Sequence, residues 1–93
     1  MFKNRTGDNL NNICGRIIYA ERRKLNISQR QLADKLQLIG LDVDKNVIQR
    51  IECGKRFVTD IELVAISKCL NVTLESLLVY KNIEQRGDLG KVW

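Results

Sequence analysis

Two stretches of the chain decide its fold: I-S-Q-R-Q-L-A-D-K-L at residues 27–36 and D-K-N-V-I-Q-R-I-E-C-G-K-R at residues 44–56. Ser28 followed three residues later by Gln31 matches the capping box with which an α-helix begins. Asp44 can cap the second stretch by accepting a hydrogen bond from a main-chain N–H group. We therefore predict two consecutive helices joined by a loop.

The side chains of these two helices divide into an apolar face and a polar face. The inward positions are expected to be Leu32, Ala33 and Leu36 in the first helix and Val47, Ile48 and Ile51 in the second. The outer strip of the second helix then holds Lys45, Asn46, Gln49 and Arg50. Lysine and arginine can pair with guanine edges, and asparagine and glutamine with adenine. Because an ordinary solvated face usually also carries acids, this strip favours base reading.

Further helices are predicted on both sides of this pair. Apolar residues at helical spacing predict a helix from Leu10 to about Leu25, ended by Asn26. A capping box of Thr59 and Glu62 begins the fourth helix. That helix is apolar nearly all round, so it is expected to be the central core element.

The fourth helix should end at Asn71, and Thr73 should cap a fifth. The apolar side chains of the fifth helix either close the monomer core or bury part of a second copy of the chain. Gly40 and Gly54 are expected to end the second and third helices.

The composition supports one small all-α domain. The chain has 93 residues, no proline and few aromatic residues, which favours a compact bundle of about five helices over a β-sandwich. Residues 1–9 are expected to be a flexible arm, residues 10–80 the folded domain and residues 81–93 a polar tail.

The same composition argues against several classes of function. No apolar run is long enough to span a membrane and the N-terminus does not resemble a secretion signal, so a cytoplasmic protein is expected. Cys14, Cys53 and Cys69 are scattered, and the chain has no histidine, so we expect three reduced thiols, no metal site and no cofactor. Without histidine, and with no nucleophile beside a base, an enzyme is not expected.

Positive charge is concentrated in the first two thirds of the chain. Residues 1–58 hold twelve lysines and arginines against six acids, whereas residues 59–93 hold four against five. This asymmetry is typical of a face that meets nucleic acid, and equally of a solvated basic surface.

Taken together, the motifs resemble those of the lambda-repressor and Cro-like helix-turn-helix family, also called XRE-like bacterial and phage regulators. The matching segments lie between about Gly15 and Leu78: R-I-I-Y-A-E-R-R-K-L-N-I-S-Q-R-Q-L-A, then V-I-Q-R-I-E-C-G-K-R, and finally C-L-N-V-T-L-E-S-L-L. The resemblance implies a transcription regulator that binds double-stranded DNA sequence-specifically, as a homodimer, through a recognition helix in the major groove.

The resemblance also assigns roles to individual residues. Lys45, Asn46 and Arg50 match the main base-reading positions, with Gln49 beside them. The expected phosphate contacts are Ser28, Gln29, the main-chain N–H of Cys53, Lys55 and Arg56. Arg22 and Glu52 match an ion pair that is structural in this family.

Between Ala33 and Ile51 the chain is about five residues longer than the tight family turn, which has about 3–4 residues between its helices. The excess falls around residues 38–42, which either lie on the surface or add their own contact to DNA or a partner. The alternative function is a protein-interaction or antitoxin-like module on the same fold.

Overall fold

The computed structural model describes residues 10–78, and within this range the chain forms five α-helices and no strand. They are α1 (Gly15–Lys24), α2 (Gln29–Leu38), α3 (Lys45–Glu52), α4 (Asp60–Leu70) and α5 (Leu74–Leu77). The all-α class and the number of helices are confirmed. The arm at 1–9 and the tail at 81–93 lie outside the described residues. No helix within 10–78 is long and apolar enough to cross a membrane.

The predicted starts of α2, α3, α4 and α5 are confirmed. Ser28 accepts a hydrogen bond from the N–H of Gln31 at 3.0 Å, and the Ser28 N–H donates to the Gln31 side chain at 2.7 Å. Thr59 and Glu62 form the same reciprocal capping box at the start of α4. Asp44 accepts from a first-turn N–H of α3, and Thr73 caps α5.

Each of the first four helices is followed, within two residues, by a residue with positive φ at the position that the sequence predicts. These are Asn26 at 57°, Gly40 at 95°, Gly54 at 79° and Asn71 at 56°. In each case the next residue donates its N–H to a carbonyl five residues back, as Leu41 does to Leu36 at 3.0 Å. This is the Schellman motif, which satisfies carbonyls that a helix end would otherwise leave unpaired.

The start of α1 differs from the prediction. Residues 10–14 are not helical, and α1 begins at Gly15 instead of Leu10. Asn12 accepts the N–H of Gly15 at 2.8 Å and so caps the helix from outside it. Its amide group bonds to the end of α3, which holds this segment away from a helical course.

A single apolar core joins all five helices. Its fully buried members include Ile18 of α1, Leu32 and Leu36 of α2, Ile48 and Ile51 of α3, Ile66 and Leu70 of α4, and Leu77 of α5. Ala33 is buried in α2, which packs against α3. The small side chain there allows the two helices to approach closely.

Helix α4 is not the fully buried core element that its composition predicts. Ile66 and Leu70 are buried, but Ile61 is 71% exposed and Val64 is 40% exposed. One stripe of α4 therefore faces the core and another apolar stripe faces solvent.

The long loop between α2 and α3 returns to the core before α3 begins. Val43 is buried, and its carbonyl accepts a hydrogen bond from the side chain of Gln37 at 2.8 Å. Leu38 and Ile39 remain exposed. The extra residues thus anchor the start of α3 while leaving two apolar side chains on the surface.

Candidate nucleic-acid interface

The outer strip of α3 consists of four polar side chains with no partner in the described chain. Lys45, Asn46, Gln49 and Arg50 are all exposed, and within residues 10–78 none of their side chains makes a hydrogen bond or ion pair. The opposite side of the helix is held in the core by Ile48 and Ile51. The helix is therefore fixed while its outer donors and acceptors stay available.

Glu52 is the anchor of α3. Arg22 donates from Nε to Oε2 of Glu52 at 2.7 Å and from Nη2 to Oε1 at 3.0 Å, a bidentate pair between α1 and α3. Both side chains are buried, and the remaining Nη1 of Arg22 donates to the carbonyl of Ile27 at 2.8 Å. The hydrogen bonds to Glu52 raise the pKa of Arg22 above its ordinary value.

Gln29 connects this pair to α2. Its Nε2 donates to Oε1 of Glu52 at 3.0 Å, so three helices meet at one carboxylate. Sequence reasoning assigned Gln29 only to phosphate and missed this bond, because nothing local in the sequence relates Gln29 to Glu52. One amide hydrogen and the amide oxygen of Gln29 remain for a further contact.

Other hydrogen-bond donors surround Gln29 at the start of α2. The first-turn N–H groups of Gln29 and Arg30 have no helical acceptor and no other main-chain acceptor among residues 10–78. Ser28 is exposed beside them, with its hydroxyl oxygen occupied as the helix cap. The partial positive charge of a helix N-terminus makes this a suitable place for a phosphate oxygen.

The main-chain N–H of Cys53, which was predicted to meet a phosphate, is hydrogen-bonded within the fold. It donates to the carbonyl of Gln49 at 3.1 Å, inside the last turn of α3, and so is not free for a phosphate. The N–H groups of Gly54 and Lys55 also donate within the chain, to the carbonyls of Ile51 and Arg50 respectively. The exposed side chain of Lys55 is the donor that this end of α3 offers.

Arg56 has an internal partner that the sequence reading did not foresee. Its Nη1 and Nη2 donate to the two carboxylate oxygens of Glu62 at 2.8 and 2.9 Å. Glu62 also closes the capping box with Thr59, so Arg56 fixes the connection between α3 and α4. The hydrogen bonds from Arg56 hold the pKa of Glu62 below its ordinary value. The cationic charge of Arg56 is thereby neutralised within the fold.

Asn12 is a positioning residue that sequence reasoning missed. Its Nδ2 donates to the carbonyl of Ile51 at 3.1 Å and to that of Arg56 at 2.8 Å, while its Oδ1 accepts from Gly15. These hydrogen bonds use both amide hydrogens and the amide oxygen of Asn12, and they join the start of α1 to the end of α3. The only sequence signal was the pair Asn11–Asn12, since asparagine is rare in a helix interior and common at caps.

Gly15 allows this close approach. A methyl group on its Cα would overlap with the carbonyl oxygen of Ile51, so only glycine fits where α1 meets α3. Asn11 adds a second connection through its N–H, which donates to Gly54 at 2.8 Å.

The cysteines show no ligand arrangement in the described part of the chain. All three are free thiols, and no group of three or more potential metal ligands occurs among residues 10–78. Burial raises the pKa of the Cys14 thiol to about 11, which keeps it protonated and apolar in character.

Comparison with known proteins agrees with this geometry. A helix-turn-helix family model matches residues 18–77, which is more than half of the chain. The chain therefore belongs to the lambda-repressor-like, or XRE-type, helix-turn-helix family, a family of DNA-binding domains. No curated protein and no solved structure matches it.

Proposed function

We propose that this protein is a sequence-specific regulator of transcription that binds double-stranded DNA, without catalysis, in the cytoplasm of a bacterium or of a phage-infected cell. In this proposal residues 10–80 form the DNA-binding domain and α3 enters the major groove. The observation that carries the proposal is the outer strip of α3: four exposed donor-bearing side chains without internal partners, on a helix otherwise fixed by the core and by Glu52.

The contrast with neighbouring polar groups supports this division of roles. Arg22, Glu52 and Arg56 are all committed to bidentate ion pairs within the fold. Lys45, Asn46, Gln49 and Arg50 are not, and they supply the residue types that read guanine and adenine edges. A helix face that only meets water does not require that its polar side chains be kept free of internal partners.

Phosphate contacts are proposed at the two ends of the α2–α3 unit. Gln29 and Ser28 lie at the N-terminus of α2, where free N–H groups attract anions. Lys55 follows α3 and supplies a cation. Arg56 is reassigned in this proposal from phosphate contact to positioning, because Glu62 occupies both arms of its guanidinium.

A homodimer is proposed because one α3 reads only a short site. Two recognition helices about 34–36 Å apart would occupy successive major grooves of a two-fold operator. Leu74 and Leu78, which lie at α5 and are 40% and 45% exposed, are available for such an interface.

The decisive experiment is selection of bound sequences from a random DNA pool, followed by titration of the selected duplex and a scrambled duplex at two salt concentrations. We expect a two-fold-symmetric site, and an affinity for both duplexes that falls steeply with salt. An interaction or antitoxin-like module that has lost DNA binding would select no sequence and bind neither duplex at low salt. A mutant with Lys45, Asn46, Gln49 and Arg50 replaced by alanine is the control that should select no sequence.

A further inference from the structure

An apolar groove lies between α2 and α4, built from a stripe of each helix. We define the α2/α4 groove by six of its lining residues: Lys35, Leu38 and Ile39 from α2 and its C-cap, and Ile61, Val64 and Lys68 from α4. The α4 positions recur every three to four residues, which places them on one face of that helix. The groove has a volume of about 580 Å³ and is open to solvent.

The apolar side chains of the groove are exposed to an unusual degree. Leu38 is 87% exposed and Ile61 is 71% exposed, and Ile39 and Val64 lie beside them. Single exposed apolar residues are ordinary, but a contiguous group is typical of an interaction surface. Neither the core nor the α3 strip uses these side chains.

The charged residues that line the groove are all positive. Its lining includes two lysines and no acidic residue. Both lysines line the groove together with Cys69, and the positive charge of Lys35 acts on the Cys69 thiol. Within residues 10–78 neither lysine side chain has an ion-pair partner.

We propose that the α2/α4 groove binds an amphipathic helix of a partner protein, with the partner's apolar face on Leu38, Ile61 and Val64 and its acidic residues at Lys35 and Lys68. The α4 stripe from Ile61 to Lys68 is about 10 Å long, which corresponds to about two turns of a docked helix. The two lysines select acidic partners because a basic helix would bring like charges together in the groove.

Other occupants fit the groove less well. A small molecule would be enclosed on most sides in an ordinary ligand site, whereas this groove is open. A second copy related by two-fold symmetry would place the same concave surface against itself, which leaves the apolar walls unfilled. A convex helix can instead fill the open space between the apolar side chains of α2 and α4.

The test uses the full chain and two synthetic peptides of about 15 residues, crosslinked so that they are helical in isolation. Both carry leucines at positions i, i+4 and i+7; one has glutamates at one end and the other has lysines there. We expect the acidic peptide to shift amide resonances of α2 and α4, and to bind at least about tenfold more tightly than the basic peptide. Ile61→Glu should abolish this binding, whereas Leu25→Glu, at an exposed apolar position outside the groove, should not.

Charge exchange makes the test specific. The double variant Lys35→Glu/Lys68→Glu should prefer the basic peptide, which a general loss of folding cannot produce. The proposal is overturned by equal affinity for both peptides, by resonance shifts outside α2 and α4, or by no binding of the acidic peptide at about 1 mM. Self-association that Ile61→Glu removes would also overturn it, because the groove would then belong to a second copy.

Discussion

Arg22 of α1 and Glu52 of α3 form a buried bidentate ion pair, with side-chain exposures of 7% and 4%. Gln29 of α2 bonds to the same carboxylate. The carboxylate of Glu52 thus ties α3 to both α1 and α2. A pair this deeply buried stabilises little relative to an apolar pair, but leaves a stranded charge when one partner is removed.

We therefore expect Arg22→Met to lower the free energy of unfolding by about 3–5 kcal/mol. The double variant Arg22→Met/Glu52→Leu should lose less than the single variant, because no buried charge remains. Urea denaturation followed by circular dichroism measures both. Glu21→Ala, which breaks the exposed pair with Lys24, is the control and should cost less than about 1 kcal/mol. A loss as small as that for Arg22→Met would contradict the anchoring role of the pair.

Replacing Asn12 tests the connection between α1 and the end of α3. Asn12→Ala removes four hydrogen bonds, the weakest of them from the Cys14 thiol, at a partly buried site and should cost about 2–3 kcal/mol. Asn12→Asp should be no better, since it keeps the acceptor for Gly15 but places a carboxylate beside two carbonyls. Asn11→Ala loses one exposed side-chain bond and should cost about 1 kcal/mol or less. Thermal or urea unfolding would rank the three variants, and equal losses for Asn11 and Asn12 would be inconsistent with this account.

Gly15→Ala should destabilise the protein even though alanine is the better helix former. Helix propensity alone predicts a gain of about 1 kcal/mol. The added methyl group would instead overlap with the main chain at Ile51, so we expect a net loss of at least about 2 kcal/mol and weaker docking of α1 on α3. Gly40→Ala is a useful comparison, because its cost comes from positive φ alone, with no atom near the new methyl group. Stabilisation by Gly15→Ala would show that α1 and α3 can separate freely.

Acid should destabilise the protein through Glu62. Its pKa in the folded state lies below the ordinary value of 4.5, because Arg56 donates two hydrogen bonds to the carboxylate. The unfolded chain therefore binds the proton first as the pH falls. The stabilisation is fully present above about pH 5 and is lost as the pH falls below 4.5 through the lowered pKa.

We expect the free energy of unfolding, measured from about pH 6 down to about pH 3, to fall less for Glu62→Gln than for the wild type. A variant as acid-sensitive as the wild type would place the titrating group elsewhere. Arg56→Met should reduce the sensitivity in the same direction, because it returns the pKa of Glu62 towards its ordinary value.

On the selected DNA site, Arg50→Ala should lose about 1–3 kcal/mol of binding free energy while its affinity for scrambled duplex stays the same. Lys55→Ala should weaken both complexes equally and reduce the salt dependence by about one counterion. Fluorescence anisotropy at several salt concentrations measures both effects. If the two variants behave alike on the two duplexes, the division into base reading and phosphate contact is wrong.

Helix starts and ends were predictable because their signals are local. Ser28, Thr59, Asn26 and Asn71 each act on main-chain groups within a few residues. The outward direction of Lys45 and Arg50 also followed from helical periodicity.

The missed features depend on contacts between distant parts of the chain. Asn12 leaves the helical pattern because its partners lie at residues 51 and 56, which no local rule can supply. Arg56 and Cys53 were assigned by position in the motif, while their internal hydrogen bonds to Glu62 and within the last turn of α3 could not be read from it. Helix α4 looked central from its composition, but a buried helix and a helix with an exposed apolar binding stripe have the same composition.

The polar anchors of α3 are concentrated near its C-terminal end, at the carbonyl of Ile51 and the carboxylate of Glu52. The N-terminal end is tied to the rest of the fold by Val43, through Gln37 and the apolar core. The C-terminal end of α3 is thus fixed by polar bonds, whereas its N-terminal end is fixed by the packing of the preceding loop. A change in that loop would displace Lys45 and Asn46 more than Arg50, so in the proposed DNA complex base preference would change first at the positions that Lys45 and Asn46 contact.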